Sequence, residues 1–190
     1  MIYVIILIIF FVICLYLVTL RKEFVLINLN SCGMYSPKDI AEYFLSRYSE
    51  NGNITPMKLI KLVYIAHGWH LGITDTALID ENPEAWKYGP VIPSLYHQFK
   101  SFGNSPIRSK NINFTLGDKK IEDFLDRIWN VYGNFDGVQL SAKTHQENSP
   151  WSLVWNSIKN SDYFSLQIPE NFIKDHYKKL LESNRQKQTA

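Results

Sequence analysis

Apolar residues recur every three or four positions along most of the chain after residue 34, which is the spacing of one face of an α-helix. The first such segment opens with Ser-Pro-Lys-Asp at 36–39, where Ser suits the N-cap, Pro the first helical position and an acid the first turn. Its apolar stripe runs from Ile40 to Tyr48, so we expect this helix to end near Ser49.

The pair Thr55-Pro56 repeats this start signal and introduces a second helix, which is the strongest in the pattern. Its apolar residues fall on one side and its first two lysines on another: Leu59, Leu62, Val63, Ala66 and Trp69 against Lys58 and Lys61. Two glycines, Gly68 and Gly72, predict a weak C-terminal end, because glycine has a low helix propensity.

Five further helices follow from the same spacing and from their start and stop residues. They are expected from about Pro93 to Phe102, from the cap Asp118 to Gly133, over 138–144, from Ser149-Pro150, and from Pro169.

The segments between the helices contain little strand signal. Residues 73–92 are irregular or form a short hairpin from 77–79 and 85–86, and residues 104–117 form a loop with at most one strand, 112–116. The pattern therefore predicts a mainly α fold: a compact multi-helix domain with at most a small β-hairpin, preceded by a hydrophobic N-terminal helix.

That N-terminal segment, residues 1–20, is apolar except for Thr19 and carries no charge. About 20 such residues can span a bilayer as a helix, and the Arg21-Lys22 pair that follows favours a cytoplasmic C-terminal side. One hypothesis is a single-pass anchor in the inner membrane, formed by residues 1–22. The other is that translation begins at Met34, so that residues 1–33 are never made.

Under either hypothesis the organisation from residue 34 onward is the same: a helical domain covers 34–185 and a disordered tail covers 186–190. Under the anchor hypothesis a linker covers 23–33. The domain is expected to be cytoplasmic, because both cysteines, Cys14 and Cys32, precede it and it needs no disulfides. The net charge of +2 without any Lys/Arg block gives no strong nucleic-acid signal.

Histidines supply the main candidate chemistry. His67 and His70 lie three apart on the second helix, and His145 with Glu147 could add a third ligand and a base, as in a metal-dependent hydrolase. The spacing differs from that of helical zinc sites, which place two histidines four apart with a Glu between them.

Other catalytic signatures are missing from the sequence. There is no Gly-x-Ser-x-Gly elbow, no phosphate-binding loop and no cysteine in the domain, and the acidic pairs Asp80-Glu81 and Glu122-Asp123 are expected to be solvated. We therefore predict a protein that is not an enzyme and holds no cofactor or metal, with the metal-dependent hydrolase as the alternative.

The stretch EAWKYGPVIPSLY, residues 84–96, interrupts the helices with bulky and stiff residues. Gly89 permits a positive φ and Pro90 fixes the chain direction, so Trp86 and Tyr88 lie on a non-helical loop. Such a loop is either a recognition surface or a plug that seals two helices over the core.

Three segments together resemble the Panacea domain of the SocA-like antitoxin family. They are ITPMKLIKLVYIAHGWHL at 54–71, EAWKYGPVIPSLYHQFKSFG at 84–103, and LSAKTHQENSPW at 140–151. The resemblance implies a bacterial or prophage-encoded antitoxin that binds a cognate toxin directly, in some branches as a chaperone or as an adaptor to a protease. It implies no enzymatic activity.

The resemblance also selects the residues expected to form the family motif or to bind the partner. They are Lys58, Lys61, Tyr64, His67, Trp86, Tyr88, Gly89, Pro90, His145, Pro150 and Trp151. If the loop around Trp86 is a family feature, it is expected to serve as a scaffold rather than as a contact specific to one toxin. A soluble family module does not account for the apolar residues 1–20, which would then anchor a membrane-tethered variant or lie before the true start.

Overall fold

The computed structural model describes residues 34–50, 53–109, 111, 113–158 and 165–189. These residues form helices α1 (Pro37–Tyr48), α2 (Pro56–Thr74), α3 (Pro93–Phe99), α4 (Lys119–Tyr132), α5 (Gly137–Thr144), α6 (Pro150–Ile158) and α7 (Glu170–Thr189), a 3₁₀ turn (Lys100–Phe102), and strands β1 (Glu84–Trp86), β2 (Gly89–Val91) and β3 (Leu166–Gln167). The expected mainly α fold with a small sheet is confirmed.

The helix starts follow the sequence closely. Ser36 Oγ accepts a hydrogen bond from the backbone N–H of Asp39 at 3.2 Å, and Thr55 Oγ1 accepts one from Lys58 N at 3.4 Å. Asp118 caps α4 in the same way, with Oδ1 accepting from the backbone N–H of Lys120 at 2.9 Å. Side-chain oxygens thus satisfy N–H groups that have no partner within the helix.

Helix α2 does not weaken at its glycines, contrary to the sequence expectation, but runs through both to Thr74. The ring of Tyr177 on α7 lies where side chains would otherwise be: a Cβ on Gly68 would be 2.1 Å from Tyr177 Cε2, and one on Gly72 would be 2.7 Å from Tyr177 Cβ. Tertiary packing of α7 therefore offsets the low helix propensity of these two positions.

Helix α2 is buried on all sides, so the side that carries its lysines is enclosed as well. Helices α1, α3, α4, α5 and α7 and strand β2 all contact it. Lys58 and Lys61 are only 5% and 2% exposed. A helix that lies at the centre of a domain is enclosed all round, and its lysines must find internal acceptors.

The sheet has the order β2-β1-β3, with antiparallel pairing throughout. The predicted hairpin between 77–79 and 85–86 is wrong, because β1 pairs with β2 and Ile79 instead makes an isolated parallel bridge to Tyr35. Trp86 faces Gly89 across a two-residue turn, and Gly89 has φ = +103°, which suits only glycine. Residues 113–116, where at most one further strand was expected, are not in a strand.

The remaining element ends agree with the sequence within one or two residues, apart from the tail. Gly103, with φ = +56°, follows the 3₁₀ turn, and Gly133 follows α4. Asp136 and Gln139 form a reciprocal capping box at the start of α5. Helix α7 continues as far as Thr189, which includes residues expected in the disordered tail.

Glu122 is 8% exposed, so its predicted solvation is wrong. Its carboxylate accepts hydrogen bonds from Thr115 Oγ1 and, at 2.9 Å, from the backbone N–H of Leu116. The Glu122 carboxylate therefore holds the loop before α4 in place, whereas an acid at the start of a helix was expected to face water.

The predicted N-terminal membrane helix and linker, residues 1–33, lie outside the described residues. Among the helices that the structure describes, none is both long enough and apolar enough to cross a membrane.

Candidate functional site

The three sequence segments that carry the family resemblance meet at the turn between β1 and β2. Lys61 of α2 reaches this turn, and its Nζ donates hydrogen bonds to the carbonyl oxygens of Tyr88 at 3.0 Å and Pro90 at 2.8 Å. The lysine thus binds the backbone on both sides of Gly89. If Gly89 carried a Cβ, that atom would be only 2.8 Å from the same Nζ. A side chain here would crowd this ammonium group and would also strain the backbone, whose φ is +103°.

The ammonium form of Lys61 lies in an environment that penalises its charge. Burial lowers the pKa of this amine to about 7, and the two carbonyl acceptors favour its ammonium form. No ion pair to Lys61 occurs among the described residues. Backbone dipoles of the turn therefore take the place of a counter-ion.

Helix α5 holds the same turn from the other side. Ser141 Oγ donates to the Tyr88 carbonyl oxygen at 3.0 Å, so this oxygen accepts from two different elements. His145 follows one helical turn later, with Nδ1 2.6 Å from the carbonyl oxygen of Ser141. Burial lowers the pKa of His145, which favours a neutral imidazole that donates from Nδ1.

Trp151, at the start of α6, completes the arrangement. Its Nε1 donates to the carbonyl oxygen of Trp86 at 2.8 Å, and its ring meets His145 edge-on with centroids 4.0 Å apart. Side chains from α2, α5 and α6 therefore bind the carbonyls of residues 86, 88 and 90 in succession. We call this arrangement, formed by Lys61, Ser141, His145, Trp151 and residues 86–90, the turn cradle.

The side chains of the turn point the opposite way from its carbonyls. Tyr88 is 66% exposed, with Lys87 Nζ 5.5 Å from its ring centroid. Trp86 is half-buried, its Nε1 donates to Glu84 Oε2 at 2.8 Å, and its ring lies 4.8 Å from that of Tyr96. The backbone of the loop is thus bonded to the interior, and its outer side displays aromatic side chains. Its role as a recognition surface stays a prediction.

Most of the predicted site residues belong to the interior. Of the eleven, eight are buried, two are half-buried and one is exposed: Lys58, Lys61, Tyr64, His67, Gly89, Pro90, Pro150 and Trp151, then Trp86 and His145, then Tyr88. Tyr64 and Pro150 line a cavity of about 160 Å³ between α2, α5 and α7, apart from the turn cradle.

The histidines do not assemble as the metal hypothesis requires. His70 Nδ1 lies 2.8 Å from the Thr76 carbonyl oxygen, His145 Nδ1 is bonded within α5, and both ring nitrogens of His67 are buried with no hydrogen-bond partner. Burial, aided by His70, lowers the pKa of His67 to about 4. Within the described ranges, no three His, Cys, Asp or Glu side chains are placed to hold a metal ion.

Ser141 is the residue of the turn cradle that the sequence interpretation did not select. It lies inside the segment LSAKTHQENSPW, four residues before His145, and this i, i+4 spacing on a helix was the available signal. Serines in short helices are common, so the sequence gives no other reason to select Ser141 as a site residue.

Comparison with known proteins agrees with the motif assignment. Residues 59–152 match the family model described as antitoxin SocA-like, Panacea domain. The chain is also 29% identical over 136 residues to Antitoxin SocA of Caulobacter vibrioides (strain NA1000 / CB15N), an alignment that covers 66% of this chain and 72% of that protein. No solved structure matches the chain.

Proposed function

We propose, from the premise that this chain belongs to the SocA-like Panacea family, that it is an antitoxin that neutralises a co-encoded toxin by binding it directly. The single observation that carries the proposal is that the three family segments come together around one turn. Their polar side chains bind the backbone of one turn, which builds a rigid platform instead of an open catalytic cleft.

The outer side of this platform is the part best suited to contact a partner. Tyr88 is an exposed aromatic residue on a backbone fixed at three carbonyls, so binding would cost little additional conformational entropy. Tyrosine and tryptophan are also the residues that most often contribute strongly at protein interfaces. We therefore place Tyr88, with Trp86 beside it, in the contact with the toxin.

A growth-rescue assay tests the function itself. The adjacent open reading frame is expressed from an inducible promoter, alone and together with this protein. We expect growth arrest in the first case and recovery in the second. If the neighbouring product can be expressed freely without this protein, the antitoxin proposal is wrong.

The contact is tested by measuring the affinity of the purified toxin for Tyr88→Ala, using Phe102→Ala as a control because it removes an exposed ring outside the platform. We expect Tyr88→Ala to weaken toxin binding by about tenfold or more, as for an interface hot spot, and Phe102→Ala by less than about twofold. If both variants bind the toxin equally well, the contact with the toxin does not involve Tyr88.

The amount of toxin in the cell distinguishes neutralisation by binding alone from delivery to a protease. An antitoxin that acts by binding alone leaves the toxin abundant, whereas an adaptor that delivers it to a protease shortens its half-life. Pulse-chase immunoblots of the toxin, with and without this protein, distinguish the two. Repeating the rescue with a shortened chain that begins at Met34 tests whether a membrane tether is needed.

A further inference from the structure

A second pocket, at the start of α2, is not used by the proposed function. It has a volume of about 450 Å³ and lies where the end of α1, the start of α2 and the loop between α4 and α5 come together. Its lining consists of Arg47, Tyr48, Asn53, Lys58, Trp129 and residues 133–136. We call it the Arg47–Lys58 pocket.

Both cations of this pocket are held in place. Lys58 Nζ donates to the carbonyl oxygen of Gly133 at 2.6 Å and lies 4.9 Å from the ring centroid of Trp129. Arg47 donates from Nε and Nη2 to Tyr43 Oη at 3.3 and 3.2 Å, with its Nη2 3.7 Å from Asp126 Oδ2. Side chains that are already ordered lose little entropy when a ligand binds.

Two cations and one carboxylate line the pocket. Arg47 and Lys58 face one carboxylate, that of Asp136, whose Oδ1 accepts the N–H of Gln139 at 2.8 Å in the capping box of α5. Asp126 pairs with Arg47 but does not line the cavity. Because Lys58 is buried, a charge that reaches it interacts through a medium of lower permittivity than water.

The walls and the size favour an organic molecule over a simple ion. Tyr48 and Trp129 stack with ring centroids 4.2 Å apart and an interplanar angle of 5°, and Phe135 adds a third aromatic ring. A volume of about 450 Å³ is within the roughly 300–1,000 Å³ of small-molecule pockets. Exposed amides of Asn53 and Asn134 supply neutral donors and acceptors at the rim.

We propose that the Arg47–Lys58 pocket binds a small phosphomonoester of about nucleotide size, with the phosphate against Arg47 and Lys58 and the organic part along the aromatic wall. A phosphomonoester carries a charge of about −1.5 to −2 at neutral pH, and its oxygens can accept hydrogen bonds from both cations of the pocket. Arginine and lysine both bind phosphate oxygens through charge-assisted hydrogen bonds.

The test uses the full chain and the four ribonucleoside 5′-monophosphates as probes, measured by isothermal titration calorimetry at low salt. Their nucleosides lack the charge, and inorganic phosphate lacks the organic part. We expect saturable one-site binding for at least one monophosphate, weaker binding of its nucleoside and of phosphate, and a loss of affinity as salt is raised. No saturable binding of any monophosphate would overturn the proposal, as would phosphate binding equally well.

Three variants locate the binding. Arg47→Gln removes a cation, and Asn134→Asp adds a carboxylate at an exposed position where folding is not at risk. Each is expected to weaken binding by about tenfold, whereas Arg127→Gln, an exposed arginine that does not line the pocket, should change it by less than about twofold. Binding that survives both Arg47→Gln and Asn134→Asp would place the ligand elsewhere. Because no toxin is present, failure here leaves the antitoxin proposal untouched.

Discussion

The substitution Gly68→Ala separates local helix propensity from tertiary packing more sharply than any other in this chain. Gly68 lies inside α2, and propensity alone predicts that alanine stabilises the helix by about 1 kcal/mol. The structure predicts the opposite sign. An added Cβ would lie 2.1, 2.5 and 2.6 Å from three carbon atoms of the Tyr177 ring, whereas carbon atoms pack best at about 3.5–4.0 Å.

The magnitude follows from how little Tyr177 can move. Its side chain is 5% exposed and its ring meets Trp69 edge-on with centroids 5.2 Å apart, so the ring cannot rotate away without displacing a neighbour. Overpacking of a filled core costs about 1–3 kcal/mol, and contact with three ring atoms argues for the upper end. Less the gain in propensity, we expect Gly68→Ala to lower the free energy of unfolding by about 2 kcal/mol.

Urea unfolding followed by circular dichroism measures this effect, with a lower midpoint and an unchanged slope as the expected result. Asn130→Ala, at an exposed position of α4, is the matched control and should be neutral or slightly stabilising. In a Tyr177→Leu background, where the ring is gone, Gly68→Ala should lose its penalty. A Gly68→Ala protein as stable as the parent would refute the argument that α7 packing requires glycine here.

Three further predictions concern the turn cradle. Burial lowers the pKa of Lys61 from 10.5 in the unfolded chain to about 7 in the folded protein. Between these pH values the unfolded chain binds more protons, so the free energy of unfolding should rise with pH by at most roughly 1.4 kcal/mol per pH unit. Urea midpoints measured across this range should show the rise, and Lys61→Met should flatten it. Gly89→Ala should lower the free energy of unfolding by about 3 kcal/mol, measured by thermal unfolding. Gly117→Ala should cost less: both glycines have positive φ, but a Cβ on Gly117 would meet nothing within 4 Å. Trp151→Phe should cost about 1–2 kcal/mol in urea unfolding by removing a donor to the hairpin backbone, whereas Trp155→Phe, which keeps that donor, should cost less.

Much of the helical fold could be predicted because its signals are local. Caps such as Ser36, Thr55 and Asp118 act on N–H groups two or three residues away, so the sequence alone places those helix starts. The hairpin was misplaced because strand pairing is decided by non-local contacts. Ala85 is bonded into a sheet whose third strand comes from residues 166–167, far along the chain.

The candidate site was predictable as a set of residues but not as an arrangement. The resemblance selected Lys61, Trp86, His145 and Trp151, all of which the structure brings to one turn. Their burial could not be inferred, because the pattern placed the lysines of α2 on a side separate from its apolar face, and only the packing of other elements all round this helix encloses them. The Arg47–Lys58 pocket joins segments that no single motif spans, so no local pattern could have revealed it.

The turn cradle also limits how this protein can recognise a partner. Its polar side chains are committed to backbone carbonyls, and a toxin could reach Lys61 or Ser141 only by opening the hairpin, which would leave a buried ammonium group and several carbonyls without partners. Under the antitoxin proposal, recognition at this turn that keeps the fold intact would use what the turn displays, namely Tyr88 and its neighbours. Substitutions inside the cradle should consequently reduce neutralisation and thermal stability together, whereas Tyr88→Ala should reduce neutralisation alone.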